Sequence, residues 1–260
     1  MKKFLKMTLL SLVLCCTFVF AACGGAVERQ FDSKASVNKG NDESYQASTK
    51  DDFVNYVGTA TGDVGLNMTG YRMTGIITTN ITEELADVPT TINYNIIVVE
   101  NNGVPEMAAK MTMDGSDIYL FVKDGYMYCN TKLNIPGMEG EMKIKQKLPD
   151  DYDFSDLGID NVVDFNSFFD MLNESADATI TTYVEGETTR YKIEMAYKAS
   201  IAEMAELSGS YTCYYVFESN KFAGFSMKLE YEQGTMEIDF SKYNGKISYP
   251  DLSEYEEIVI

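Results

Sequence analysis

The sequence predicts an α+β fold built on one large antiparallel sheet, and three observations predict it. Apolar and polar residues alternate with period two through most of the chain, turn signals recur between those runs, and strand and helix patterns do not take turns as they do in crossover folds. Period-two alternation puts every second side chain on one face, which is the pattern of half-buried antiparallel strands. No repeat period of the kind that marks solenoids is evident.

The first element is a targeting segment. Lys2, Lys3 and Lys6 precede an uncharged stretch from Met7 to Ala22 that ends in two small residues. As a helix that stretch would rise ~24 Å, short of the roughly 30 Å hydrocarbon core of a bilayer. A basic start, a short apolar middle and a small-residue exit predict a secretory signal peptide over residues 1–22. The next residues, FAAC, resemble the lipobox of bacterial lipoproteins, with Phe20 where that box usually has Leu. The resemblance implies cleavage before Cys23 and a diacylglycerol thioether on it, and so a location on the extracytoplasmic face of a membrane. Two acyl chains anchor stably where one binds only marginally. Cys15 and Cys16 leave with the signal.

Charge and composition then exclude several function classes. Beyond the signal, 18 basic residues stand against 40 acidic ones, a net charge of −22. Such a surface does not suit nucleic acid, whose phosphates call for clustered Lys and Arg, nor charge-driven docking on anionic head groups. The chain has no His, which removes Ser-His-Asp and Cys-His catalysis and His-ligated zinc. No pair among the abundant carboxylates is singled out as a glycosidase pair, so no enzymatic activity and no cofactor are expected. Cys129 and Cys213 remain in the body of the chain, and sequence leaves open whether they form a disulfide or stay as two buried thiols.

Residues 23–50 are polar and rich in Ser, Asn, Lys and Gly, and predict a flexible tether ahead of a single domain over 51–260. Asp51 and Asp52 favour a helix start, with the glycines from Gly58 on keeping that helix short. Alternating runs follow in YRMTGIITTNI, TINYNIIVVE and PEMAAKMTMD, and Asp124-Gly125 predicts a hairpin inside SDIYLFVKDGYMYCNT. MKIKQKL predicts a short basic strand. The acidic stretch PDDYDFSDLGID fails the EF-hand register, since Asp156 and Val162 stand where Gly and Glu are needed, so a solvated loop is expected rather than a metal site.

Val162, Phe165, Phe168, Phe169 and Leu172 have helical spacing behind Asp160 or Asn161 as N-cap. A hairpin turning at Glu185-Gly186-Glu187 comes next, then a short helical piece over ASIAEMAELSG that ends at Gly209. Strands with turns at Ser219-Asn220 and Gln233-Gly234 complete the domain, and a short acidic tail closes it. The expectation is about 10–11 strands and two or three helices.

This order, closing in YYVFESNKFAGFSMKLEY and then FSKYNGKISYPDLSEY, resembles the LolA/LppX-like lipoprotein superfamily over roughly residues 50–252. The resemblance implies a curved half-barrel sheet with helices on its concave face, an apolar cavity between them, and a monomer that binds or carries an apolar ligand such as lipid. Met73, Met107, Met111, Met113, Phe168, Met195, Met227 and Met236 are the candidate cavity-lining residues, because unbranched thioethers adapt to an acyl chain. The same residues serve equally as a dry core, which would make the domain a structural or interaction module of the cell envelope with no ligand cavity.

Overall fold

The structure is a computed structural model that describes residues 25–61, 70–83, 86–101, 103–113, 115–133, 140–149, 165–175, 177–201, 205–232 and 234–258. Thirteen strands form one open sheet. Six of them run as a meander: β2 (Gly70–Glu83), β3 (Ala86–Asn101), β4 (Val104–Met113), β5 (Ser116–Lys123), β6 (Tyr126–Leu133) and β7 (Gly140–Lys147). Five form a second meander: β8 (Thr179–Glu185), β9 (Thr188–Ile201), β10 (Ala205–Glu218), β11 (Lys221–Tyr231) and β12 (Gly234–Lys242). The last strand of the second meander pairs with the first of the other, β12 against β2 with Phe240 opposite Met73, and this joins the two into one sheet.

Those eleven strands match the expected number. The other two lie in segments read as tether and tail. β1 (Gln46–Ser48) pairs antiparallel with β8, and β13 (Glu256–Glu257) pairs parallel with β7. Both are short and occupy the sheet's edges, where unpaired backbone would otherwise invite edge-to-edge association. Tight turns bear out two of the expected hairpins. Asp124 and Gly125 have φ of 53° and 76°, and Ser219 and Asn220 have 48° and 57°. Two successive positive φ values match a hairpin turn to the twist of its strands, and Asp, Asn and Gly tolerate them best.

Three helices are described: α1 (Gly25–Arg29), α2 (Lys50–Thr61) and α3 (Phe165–Glu174). α2 starts at a capping box. The Asp52 backbone N–H donates to Thr49 Oγ1 at 3.0 Å, and the Thr49 N–H donates back to Asp52 Oδ2 at 3.2 Å. It runs through Gly58 instead of stopping there, because Phe53 and Val57 on its buried face are fully sheltered by the sheet. α3 confirms the described part, from Phe165 on, of the helix read over Val162 to Leu172, while Val162, the expected caps Asp160 and Asn161, and the acidic stretch 150–164 lie outside the described residues.

Two expectations are corrected. The helical piece expected over 199–209 is instead the far end of a hairpin, in which Ala199 faces Leu207 and Tyr197 faces Gly209. Its sequence suits either state, and pairing continuous with the rest of β9 and β10 overrides weak local propensity. The flexible tether is also not found in the described part of 23–50. From Gly25 on the segment lies against the sheet, with Val27, Phe31 and Ala35 buried and β1 in the sheet itself. Composition misled because few apolar residues are needed when side chains on the sheet hold the segment's backbone.

Candidate functional site

The strand register divides the sheet into two faces. One face, covered by α2 and α3, is apolar across its central strands, β9–β12 and β2–β5. In one cross-strand row Met195, Tyr211, Leu229, Met236, Ile77, Ile92 and Met113 stand opposite one another in turn across seven strands. The next row includes Cys213, Met227, Ile238, Gly75, Tyr94 and Met111. Below it Met73 lies between Phe240 and Ile96, and Met107 between Val98 and Val122. The register therefore puts all seven candidate methionines on this one face.

The face is graded. Over β8–β12 it is aromatic: Phe53 of α2 lies 5.0 Å from Tyr191 and 5.9 Å from Phe169, with Phe168 of α3 5.2 Å from Tyr215. Edge-to-face pairs of this kind lock ring orientations. Over β2–β5 the face is aliphatic and thioether-rich. Met73, Met107, Met111, Met195 and Phe168 are buried, whereas Met113, Met227 and Met236 are half-buried. At Gly75 the Tyr94 ring from the opposite strand occupies the space a Cβ would need, 2.3 Å from its ideal position. Glycine is required there for the ring to lie flat on the sheet.

Cys129 and Cys213 share this face as free thiols, which corrects the disulfide alternative. Cys213 is on β10 and Cys129 on β6, seven strands apart in the sheet order, too far for a bridge whose Cα atoms must come within ~7 Å. Burial pushes the Cys213 thiol up to about 12 and raises that of Cys129, so neither is a reactive thiolate. Cys23 lies outside the described residues.

The opposite face mixes polar residues with a second apolar cluster, in which Val27, Phe31 and Tyr255 cover Ile97, Ala108, Tyr119, Phe121 and Tyr128, and the two ends of the chain are strapped across it. Arg72 Nη2 donates to the Gln30 carbonyl at 2.8 Å, and its guanidinium stacks 4.7 Å from the Tyr243 ring centre. Asn95 Nδ2 donates to the carbonyls of Phe31 and Ser33 at 3.0 and 2.8 Å, and the Ala35 N–H donates to Thr74 Oγ1. The Gln30 side chain binds the Ser248 backbone in both directions, at 2.8 and 3.0 Å, which fastens one strap to the other. Tyr249 donates to Glu106 at 2.7 Å and faces Lys123, whose Nζ is 4.3 Å from its ring centre. At the edge, Lys143 pairs with Glu254, and Lys145 Nζ lies 3.8 Å from Glu257, so the basic strand receives the acidic tail.

Beside the N-terminal strap is a cleft of about 260 Å³ lined in part by Phe31, Asp32, Lys34, Thr74, Asn95, Lys110, Glu237 and Asp239. Asn95 Oδ1 is buried without a hydrogen-bond partner. An orphaned acceptor of this kind costs about 1–3 kcal/mol. Sequence reading passed over these residues: Asn95 alternates with apolar neighbours like any solvent-facing strand residue, and nothing local shows that a distant segment covers it.

Comparison with protein-family models and with curated proteins finds no match to the chain. Among the described residues, no helix is long and apolar enough to cross a membrane, and no group of three or more His, Cys, Asp or Glu side chains is placed to hold a metal ion.

Proposed function

We propose that this chain is a membrane-anchored extracytoplasmic lipoprotein, acylated at Cys23, that shelters an apolar ligand such as a lipid chain against its methionine-rich face. The resemblance to the LolA/LppX-like superfamily and the FAAC box motivate the reading. The observation that carries it is the uninterrupted apolar row from Met195 to Met113, in which Leu229, Met236, Ile92 and Met113 are only half-buried. Six strand spacings make that row ~29 Å long. Sheltering eight methylenes of an acyl chain along it would contribute about 6 kcal/mol, and thioethers adapt to such a chain without a fixed shape. In this reading the sheet curves as a half-barrel and the helices lie on its concave side. The tether is short: only Cys23 and Gly24 precede α1, a reach of about 7 Å.

The test is extraction and mass spectrometry of the intact protein purified from a bacterial membrane. The reading expects a diacylated Cys23 and a co-purifying lipid that is lost when Met236 and Met113 are both changed to Gln. Acylation with no bound lipid would favour the second reading, an envelope interaction module with a dry core. The interlocked rings of Phe53, Phe168, Tyr191 and Tyr215 are the observation in that reading's favour. Absence of any acyl group on Cys23 would remove the anchor from both.

A further inference from the structure

We propose that the half-buried methionines of the apolar face, Met113, Met127, Met142, Met227 and Met236, are a modification site at which a peroxide oxidises thioether to sulfoxide while the sheet stays folded. The observation behind it is a segregation visible in the strand register. All nine strand methionines among the described residues belong to the face under α2 and α3. Met127 stands opposite Val122 in the row of Met107, and Met142 stands opposite Thr131 in the row of Met111, beside the seven already placed there. The strap face carries none of them.

Burial splits the nine into two groups. Met73, Met107, Met111 and Met195 are at most 8% exposed, whereas the other five are half-buried. The difference acts twice. A half-buried thioether meets an oxidant without any opening of the sheet, and the sulfoxide oxygen formed there can keep its water. At the four buried positions the same oxygen would be cut off from water, so oxidation there must wait for unfolding.

Competing groups are few. The chain has no Trp and no His, and peroxide attacks cysteine as the thiolate, a form that burial disfavours at both Cys129 and Cys213. In the reaction the sulfur lone pair attacks one peroxide oxygen, and an S–O bond forms as the O–O bond breaks. The departing hydroxide takes the remaining proton and leaves as water. Sulfur gives up two electrons to the peroxide, and methionine sulfoxide reductases reverse the change. One consequence rests on the apolar-ligand reading. Met113 and Met236 are three strand spacings apart in one row, ~14 Å, and Met227 lies on the diagonal beside Met236. Sulfoxides at these three positions would surround an acyl chain with polar oxygens and release it.

The experiment exposes the intact protein to a limited excess of hydrogen peroxide and maps each sulfoxide by peptide mass spectrometry, with circular dichroism followed in parallel. The five half-buried methionines should oxidise at least tenfold faster than Met73, Met107, Met111 and Met195, with the sheet spectrum unchanged. Equal rates in the two groups, oxidation that keeps pace with loss of the sheet, or Cys129 oxidised ahead of the methionines would overturn the proposal. A pyrene-labelled dodecanoic acid then reads the consequence. Oxidised protein should bind it at least tenfold more weakly than untreated protein. The Met113→Leu, Met227→Leu, Met236→Leu variant, which conserves side-chain volume, should keep its affinity through the same treatment. Undiminished binding by the oxidised native chain would overturn the release step. Failure of the untreated protein to bind the probe would overturn the apolar-ligand reading alone, because the oxidation map is read without any ligand.

Discussion

The two faces of the sheet bury side chains by different means. Under α2 and α3 the contacts are apolar and come from β2–β6 and β8–β12, so burial follows the alternation of the strands themselves. Across the other face the chain ends rest on a smaller apolar cluster around Ile97, Ala108 and Phe121, and are held there by a few long polar side chains, Gln30, Arg72, Asn95 and Glu106, that reach backbone or hydroxyl groups more than 40 positions away. The first kind of burial is non-directional and roughly proportional to area. The second adds to a smaller apolar cluster individual hydrogen bonds, each worth ~1 kcal/mol net but costly when one partner is left unpaired. The helix face should therefore govern global stability, and the strap face should open locally.

The largest expected effect tests the helix face. Phe53 is fully buried and touches Phe168, Phe169, Tyr191 and Tyr215. Phe53→Ala should cost about 3–5 kcal/mol in denaturant unfolding, with one cooperative transition. A loss under 1 kcal/mol would mean that α2 is an ornament on the sheet rather than part of its core.

A smaller and more local effect should follow on the strap face. Gln30→Ala removes both bonds to Ser248 and should cost about 1–2 kcal/mol. Hydrogen exchange should speed up in residues 25–36 and 243–250 while amides of β9–β11 keep their protection. Equal loss of protection on both faces would erase the distinction drawn here.

Smaller still, in free energy, is the behaviour of the two thiols. Both are kept protonated by burial, and Cys213 more so than the half-buried Cys129. Under native conditions a thiol reagent should modify Cys129 first and Cys213 only at the rate of global unfolding. Reductant should leave the unfolding midpoint unchanged. A reductant-sensitive midpoint would show that the two meet, against the strand order.

What could be read in advance follows the same division. The alternation in TINYNIIVVE and PEMAAKMTMD put Met107, Met111 and Met113 on a shared face, and Asp124-Gly125 marked its turn, because these signals are local and each strand repeats them. The straps carry no such signal. Phe31 and Ala35 are isolated among polar residues, and what holds the segment is distant: the cluster of Ile97, Tyr119 and Phe121 takes the Phe31 ring, and Arg72, Thr74 and Asn95 on strands that read as solvent-facing grip its backbone. In the tail, Tyr243, Ile247, Tyr249, Leu252 and Tyr255 do recur too often for a free end, and Lys143 and Lys145 opposite Glu254 and Glu257 offered a charge match. The misread helix over 199–209 failed for another reason: its residues fit helical spacing, and only the pairing of Ala199 with Leu207 decides for strand.

The smallest effect concerns how α2 is fixed at the border of the helix face. Asp52 is exposed, and the hydrogen bonds it accepts from the Thr49 hydroxyl and backbone N–H hold its carboxyl below the usual carboxylate range. A group whose folded value is lowered contributes stability above its unfolded pKa, and that contribution disappears as pH falls through the folded value. The cap should thus help hold α2 at neutral pH and cease to do so in acid. Thr49→Ala removes the hydroxyl partner, so its stability deficit relative to the native chain should be greatest near pH 7 and shrink toward pH 3. Denaturant midpoints of the two proteins across that range would measure it. A deficit independent of pH would place the role of Thr49 in its own hydroxyl bond to the Asp52 N–H, and leave the carboxylate without a part in fastening the helix to the apolar face.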